Sequence, residues 1–218
     1  MMFWFWFNGE AAPKLALREV SFRKIFNYLD TFDASQPLVI VETGCLRTPD
    51  NWAGDGQSTL MFDRYLQHRS AGGSCYAMDI DPVATAACRS FVGPQTEVFT
   101  GDSVIVLRDF AERLRASGQK ISLLYLDSFD LDWNNVTPSA VHHLNELVSI
   151  YEFVTPQTLV VVDDAPMDVV CAQSANGGFD LLRDPVVSGK GKFVAEYAAQ
   201  VGAKNFFSHY QSAWTGFR

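Results

Sequence analysis

The sequence predicts an α/β fold, a doubly wound sheet of five parallel strands with helices on both faces and an antiparallel hairpin at its end. Three observations carry this. Five short apolar runs each finish on a carboxylate or a glycine turn: 38–42 (LVIVE), 75–79 (CYAMD), 97–100 (EVFT, running into Gly101-Asp102), 121–127 (ISLLYLD) and 158–164 (TLVVVDD). Runs without polar alternation are how strands buried on both faces read. Segments of helical period lie between them, and strand–helix–strand repetition implies right-handed crossovers. After the last helix, runs at 205–210 and 213–217 lie too close for any crossover, so they pair antiparallel.

Taken in order, residues 13–32 place Leu15, Leu17, Val20, Phe22, Ile25, Phe26, Tyr28 and Leu29 at the spacing of an amphipathic helix. Further helices are predicted over 59–68, 83–91, 104–117, 139–153 and 191–201. The opening MMFWFWF is apolar but seven residues long, too short to span a bilayer and without a basic leader. It is expected to pack on the body or on a partner subunit, which makes a homodimer an expectation to test. The 218 residues suit a single domain over 1–218, with an aromatic segment and helix (1–35) before the core (36–217).

A hydrophobic content of 48% with 19% charged residues describes a globular chain, and four cysteines without a CxxC read as buried thiols of a cytoplasmic protein. The net charge of -8 argues against nucleic acid and against anionic membrane surfaces as partners.

The strand-end acids matter most, because ligands of open α/β sheets bind outside the carboxyl edge. Glu42-Thr43-Gly44 is a strand-end acid and glycine turn. It is completed, after the insert 45–53, by Gly54-Asp55-Gly56-Gln57-Ser58, with Ser58 or Thr59 capping the next helix. It is neither a P-loop nor a clean GxGxxG. Asp79, ending the second strand, stands where a carboxylate accepts ribose hydroxyls. Asp79 and Asp81 also read as the DxD metal motif of a nucleotide-sugar transferase, or as a turn with Asp81 capping a helix begun by Pro82. Asp102 or Ser103 caps the following helix or contacts an adenine.

Asp127, Asp163 and Asp164 end two strands that lie about 5 Å apart if adjacent. Three carboxylates there cannot all stay ionised alone. Either a hard divalent ion, Mg2+ for choice, answers them, or one acid is protonated or paired with Lys or Arg. Asp130 and Asp132 lie just beyond, as candidate bases for a substrate hydroxyl, with His142 and His143 as further candidates. Arg183, Lys190 and Lys192 flank a glycine loop suited to an anionic substrate group.

The ordered set VETG, AMDID and GDS resembles the class I S-adenosylmethionine (SAM)-dependent methyltransferases over residues 36–217. The resemblance implies a Rossmann-like sheet of order 3-2-1-4-5-7-6. It assigns Glu42, Thr43, Gly44, Gly56 and Ser58 to the methionine part of the cofactor, Asp79 to the ribose, Asp102 and Ser103 to the adenine region, and Asp127 to the cofactor's edge. LDSFD and VVDDAP are similar to the metal-dependent O-methyltransferases of the catechol and macrocin types. That likeness implies Mg2+ on Asp127, Asp163 and Asp164, and methyl transfer to a small hydroxylated acceptor such as a sugar or phenol. The alternatives are a nucleotide-sugar glycosyltransferase, a ligand-binding protein without turnover on the same fold, and, least favoured, a dehydrogenase.

Overall fold

The computed structural model describes residues 2–55 and 57–218; Gly56 lies outside the described residues. Seven strands form one sheet: β1 (Leu38–Thr43), β2 (Gly73–Asp79), β3 (Thr96–Thr100), β4 (Leu123–Leu126), β5 (Leu159–Val162), β6 (Lys204–Ser208) and β7 (Ser212–Thr215). Their order is 3-2-1-4-5-7-6. β1 pairs in parallel with β2 and β4, and β5 in parallel with β4, while β7 runs antiparallel to both β5 and β6. β6 therefore points the same way as the core strands and is kept from them by the one reversed strand. This is the Rossmann-like arrangement.

Alternation along each strand divides the core into two layers. Leu38, Ile40, Leu123, Tyr125, Leu159 and Val161 face one side, against α2 (Glu19–Leu29) and α4 (Ser58–His68). Val39, Val41, Leu124, Leu126, Val160 and Val162 face the other, against α6 (Ser103–Ser117), α7 (Thr137–Ile150) and α8 (Lys192–Gln200). Because the central strands are covered on both faces, function is confined to their ends.

The helix predicted over 13–32 is shorter than expected. Two 3-10 turns, Ala12–Lys14 and Ala16–Arg18, precede α2. Ala16, at φ 49°, breaks the helical path in the left-handed region. The consequence is functional in placement: Arg18, on the predicted helix surface, turns inward and is only 6% exposed.

The aromatic N-terminus packs on the body. Within α1 (Met2–Trp6) and just after it, Phe3 and Phe7 are buried, and the Phe3 ring meets Phe26 at 4.6 Å and Tyr65 at 5.0 Å. Each such pair adds about 0.5–1.5 kcal/mol beyond its burial. Met2 and Phe5 stay exposed. Between β5 and α8 the chain forms two small antiparallel ribbons, Met167–Asp168 with Val186–Val187 and Cys171–Gln173 with Phe179–Leu181. All four cysteines are free, and only Cys171 is exposed. Among the described residues no helix is long and apolar enough to cross a membrane.

Candidate functional site

The strand-end acids converge. Glu42, Asp79 and Asp127 stand at the carboxyl ends of β1, β2 and β4, three adjacent strands. Glu42 sits opposite Ala77 of β2 and Tyr125 of β4 in the register. Gly44, at φ 80°, follows at once, and a Cβ there would lie 2.6 Å from the Asp127 carbonyl oxygen. Only glycine allows β1 to turn this tightly against β4.

A cavity of about 400 Å3 opens at this edge, within the size range of small-ligand sites. Ile80 after β2, Asp102 and Ser103 at the start of α6, Ser128, Phe129 and Asp130 after β4, and His142 on α7 line it. Phe129 and His142 approach ring to ring at 5.3 Å and make one wall flat and aromatic. Asp102 caps α6, its Oδ1 accepting from the Val104 amide at 2.9 Å. That cap frees Ser103 to turn toward α7.

The floor is built by a residue the sequence reading passed over. Glu146 of α7 is fully buried and accepts hydrogen bonds from Thr43 Oγ1 (3.0 Å), Ser128 Oγ (2.5 Å) and Ser103 Oγ. One carboxylate thus ties together the end of β1 and the segments following β3 and β4. Burial alone would push this acid up, but His143, His142 and the serine hydroxyls outweigh it and hold the carboxyl below its ordinary range. Its signal was present in sequence: Ala140, His143, Leu147 and Ile150 mark the buried stripe of α7, and Glu146 falls in phase with them.

The two histidines separate. His142 Nε2 lies 2.9 Å from Ser103 Oγ and 3.3 Å from Glu146 Oε1, and the Glu146 hydrogen bond raises its pKa. Ser103 Oγ already donates to Glu146, so in this contact His142 Nε2 is the donor. His143 is fully buried and outside the cavity lining. Its Nδ1 lies 2.7 Å from the Ser139 carbonyl, which can only accept, so Nδ1 carries the proton and Nε2 is left bare and unpartnered. Burial pushes its pKa down from 6.5 to about 4, against the pull of Glu146 and with the help of nearby Lys190.

An acid sensitivity follows. Above pH 6.5 the ring is neutral in both folded and unfolded chains; as pH falls from 6.5 toward 4, only the unfolded chain takes up the proton. Stability drops across that window by about 3 kcal/mol for this group. Urea unfolding at stepped pH checks it. His143→Asn, which keeps a donor near the Ser139 carbonyl, should lose this slope, and an equally steep slope in the variant would refute the assignment.

At the β4–β5 edge the predicted acid cluster forms, but the predicted metal does not fit it. Lys190 Nζ bridges Asp127 Oδ1 at 2.5 Å and Asp164 Oδ2 at 3.1 Å. Arg18 Nε binds Asp163 Oδ2 at 2.8 Å, and its Nη2 reaches Asp164 Oδ1 at 3.4 Å. Tyr125 Oη donates to Asp163 at 3.1 Å and Tyr210 Oη donates to Asp164. Among the described residues no group of three His, Cys, Asp or Glu is disposed to hold a metal ion. Burial opposes the charge on Lys190, but Asp127 first, then Asp164 and Asp163, outweigh it and raise its pKa.

Other expectations shift in detail. Lys190 faces inward and Arg183 pairs with Asp168, so neither offers the exposed anion-binding charge read from their loop. Ser58 is buried as the first residue of α4, but the capping position is Gln57, at φ 53°, without a side-chain cap. Thr59 Oγ1 instead accepts from the Leu46 amide at 3.0 Å. Asp79 Oδ1 accepts from the Asp81 amide at 2.9 Å, and Asp81 Oδ1 caps α5 (Pro82–Phe91) through the Val83 amide at 2.8 Å. The DxD pair is thus a helix-entry turn, which removes the feature that favoured a glycosyltransferase. Asp130 is exposed at the cavity wall and pairs with Arg47 at 3.1 Å. Trp52 is buried in the core, its ring 6.4 Å from that of Trp6.

Neither a known protein family nor a curated protein sequence matches the chain. Among solved structures it is similar to LepI in complex with SAM, at 12% identity and a TM-score of 0.48, with 88% of this chain and 46% of that chain covered. A LepI variant in complex with SAH and a substrate analogue aligns at 11% identity and a TM-score of 0.49, over 89% of this chain and 46% of that one. The chain thus spans about half the length of the LepI chains. The DhpI–SAH complex aligns at 11% identity and a TM-score of 0.44, over all of this chain and 95% of that one.

Proposed function

We propose that this protein is a SAM-dependent methyltransferase that delivers a methyl group to an oxygen of a small hydroxylated acceptor, without a metal. The observation that carries this reading is Glu42, held at the tip of β1 in a sheet of order 3-2-1-4-5-7-6, with both carboxylate oxygens buried and without a hydrogen-bond partner among the described residues. A buried acceptor pair costs free energy unless a ligand supplies donors. The sequence resemblance assigns the donor's methionine part to this tip. Asp79, whose Oδ2 meets no donor among the described residues, supports the ribose role at the next strand, and Asp102 and Ser103 line the neighbouring cavity.

The residues fit such a ligand, which would supply an activated sulfonium methyl. The protein's part is alignment and proton removal. Of the four candidate bases, Asp130 is the carboxylate on the cavity wall, so it receives the acceptor's hydroxyl proton. His142 holds Ser103 and the cavity floor through Nε2. Phe129 supplies an apolar face for the acceptor or the adenine.

Calorimetry with S-adenosylhomocysteine (SAH) at tens of micromolar protein, in the presence of EDTA, tests the reading. Saturable heat is the expected result. A flat titration with folded protein would overturn it. A UDP-sugar titrated in the same way should give none.

A further inference from the structure

We infer that Lys190 takes the place of a divalent cation at the β4–β5 edge, so that this site runs on a fixed ammonium and takes up no metal. Asp127, Asp163 and Asp164 come from the ends of two adjacent strands, an arrangement whose mutual repulsion demands a cation. The cation present is Lys190, 3% exposed, whose single nitrogen touches Asp127 and Asp164 at once. Arg18 answers the remaining acid from the opposite side and shares Asp164.

The ammonium is held there by the backbone, not merely by attraction. Gly189 has φ 59°, and a Cβ on it would lie 2.0 Å from the Asp164 carbonyl oxygen. The Lys190 amide donates to that same oxygen at 3.1 Å. Gly191 is also crowded, a Cβ there meeting the Ala165 Cβ at 2.6 Å. Glycines on both sides thus let the chain press onto the β5 tip and thread Lys190 beneath it.

Charge and stereochemistry then exclude a second cation. Counted as fully ionised, three carboxylates against one ammonium and one guanidinium leave a single negative charge. Adding a divalent ion would set four positive charges against three negative ones. Mg2+ also requires oxygens at about 2.0–2.1 Å in octahedral array. Here Asp163 Oδ2 and both Asp164 oxygens already face nitrogen donors, and Asp163 Oδ1 takes the Asp164 amide at 2.8 Å. The replacement of a metal by Lys190 does not rest on the methyl-transfer reading.

The same geometry says what removing the ammonium does. Without Lys190 the cluster keeps three carboxylates and one guanidinium, two negative charges in excess, and Asp127 and Asp164 regain oxygens for a hard ion. Lys190→Ala should therefore acquire a divalent-cation site that the native protein lacks. The probe is Mn2+ itself, followed by thermal unfolding and by the electron paramagnetic resonance signal of free Mn2+.

Native protein is expected to show the same Tm in EDTA and in millimolar Mn2+, with no saturable loss of free-ion signal. Lys190→Ala should unfold at lower temperature in EDTA and rise by about 3–6 °C at tenfold Mn2+ over its Kd. Lys190→Arg, which retains a cation, should stay indifferent to Mn2+. Lys190→Gln serves if the alanine variant does not fold. Saturable Mn2+ uptake by native protein, or a folded Lys190 variant without a cation indifferent to Mn2+, overturns the inference. SAH calorimetry on native protein is a separate arm, so failure of the methyltransferase reading leaves this result standing.

Discussion

Replacing Arg18 by methionine is expected to cost about 3–5 kcal/mol of stability, the range for stripping one partner from a buried ion pair. For a chain of this length that is a fall in Tm of about 6–20 °C. The guanidinium donates from three nitrogens: Nε to Asp163 at 2.8 Å, Nη1 to the Ala53 carbonyl at 3.1 Å and Nη2 to Asp164 at 3.4 Å. It also lies 4.8 Å from the Tyr210 ring centroid. Methionine keeps much of the stem volume, so the loss isolates the charge. What remains is Asp163, fully buried, with the Asp164 amide on Oδ1 and Tyr125 Oη on Oδ2 as its remaining donors.

A double variant separates charge from packing. Because the main cost is an uncompensated carboxylate, adding Asp163→Asn to Arg18→Met should recover a large part of it. Arg18→Lys should fall between, since one ammonium cannot reproduce three donors in a planar fork. Chemical unfolding of the four proteins measures the coupling. Simple additivity of Arg18→Met and Asp163→Asn would show that the pair is not energetically linked.

Arg18 also shows where sequence reading stopped. Its partner lies 145 residues away, and periodicity over 13–32 gave no reason to bury it. The positive φ at Ala16 that redirects it leaves no mark, because alanine favours helix. The strand tips were legible for the opposite reason. A strand covered on both faces must be apolar along its length, so LVIVE and TLVVVDD announce the residue at which the chain meets solvent or ligand. The acid cluster was legible as a problem of repulsion, but its solution was not. Lys190 sits among glycines, where a flexible loop and a buried cation look alike. Glu146 was readable in principle, as a charge in phase with a buried helical stripe.

Glu42→Gln should leave the fold intact and weaken SAH binding by about 10²–10⁴-fold, the loss of two charge-assisted hydrogen bonds. The carboxyl is 1% exposed. Desolvation raises its pKa well above the ordinary 4.5, and the Ser58 and Thr59 hydroxyls beside it temper the rise. Between pH 4.5 and that raised value the folded protein keeps a proton that the unfolded chain has lost. Stability of the ligand-free protein therefore falls as pH climbs through this window, the reverse of the usual carboxylate. Glutamine mimics the protonated acid, so the variant should lose the slope and match or exceed native stability at its upper end. A ligand that brings donors to both oxygens favours the ionised form, so native binding should release a proton and tighten with rising pH. The variant should bind weakly at every pH and release none. Calorimetry in buffers of different ionisation enthalpy reads the proton count directly. Undiminished SAH affinity in Glu42→Gln would remove Glu42 from the site, and with it the observation on which the methyl-transfer reading stands.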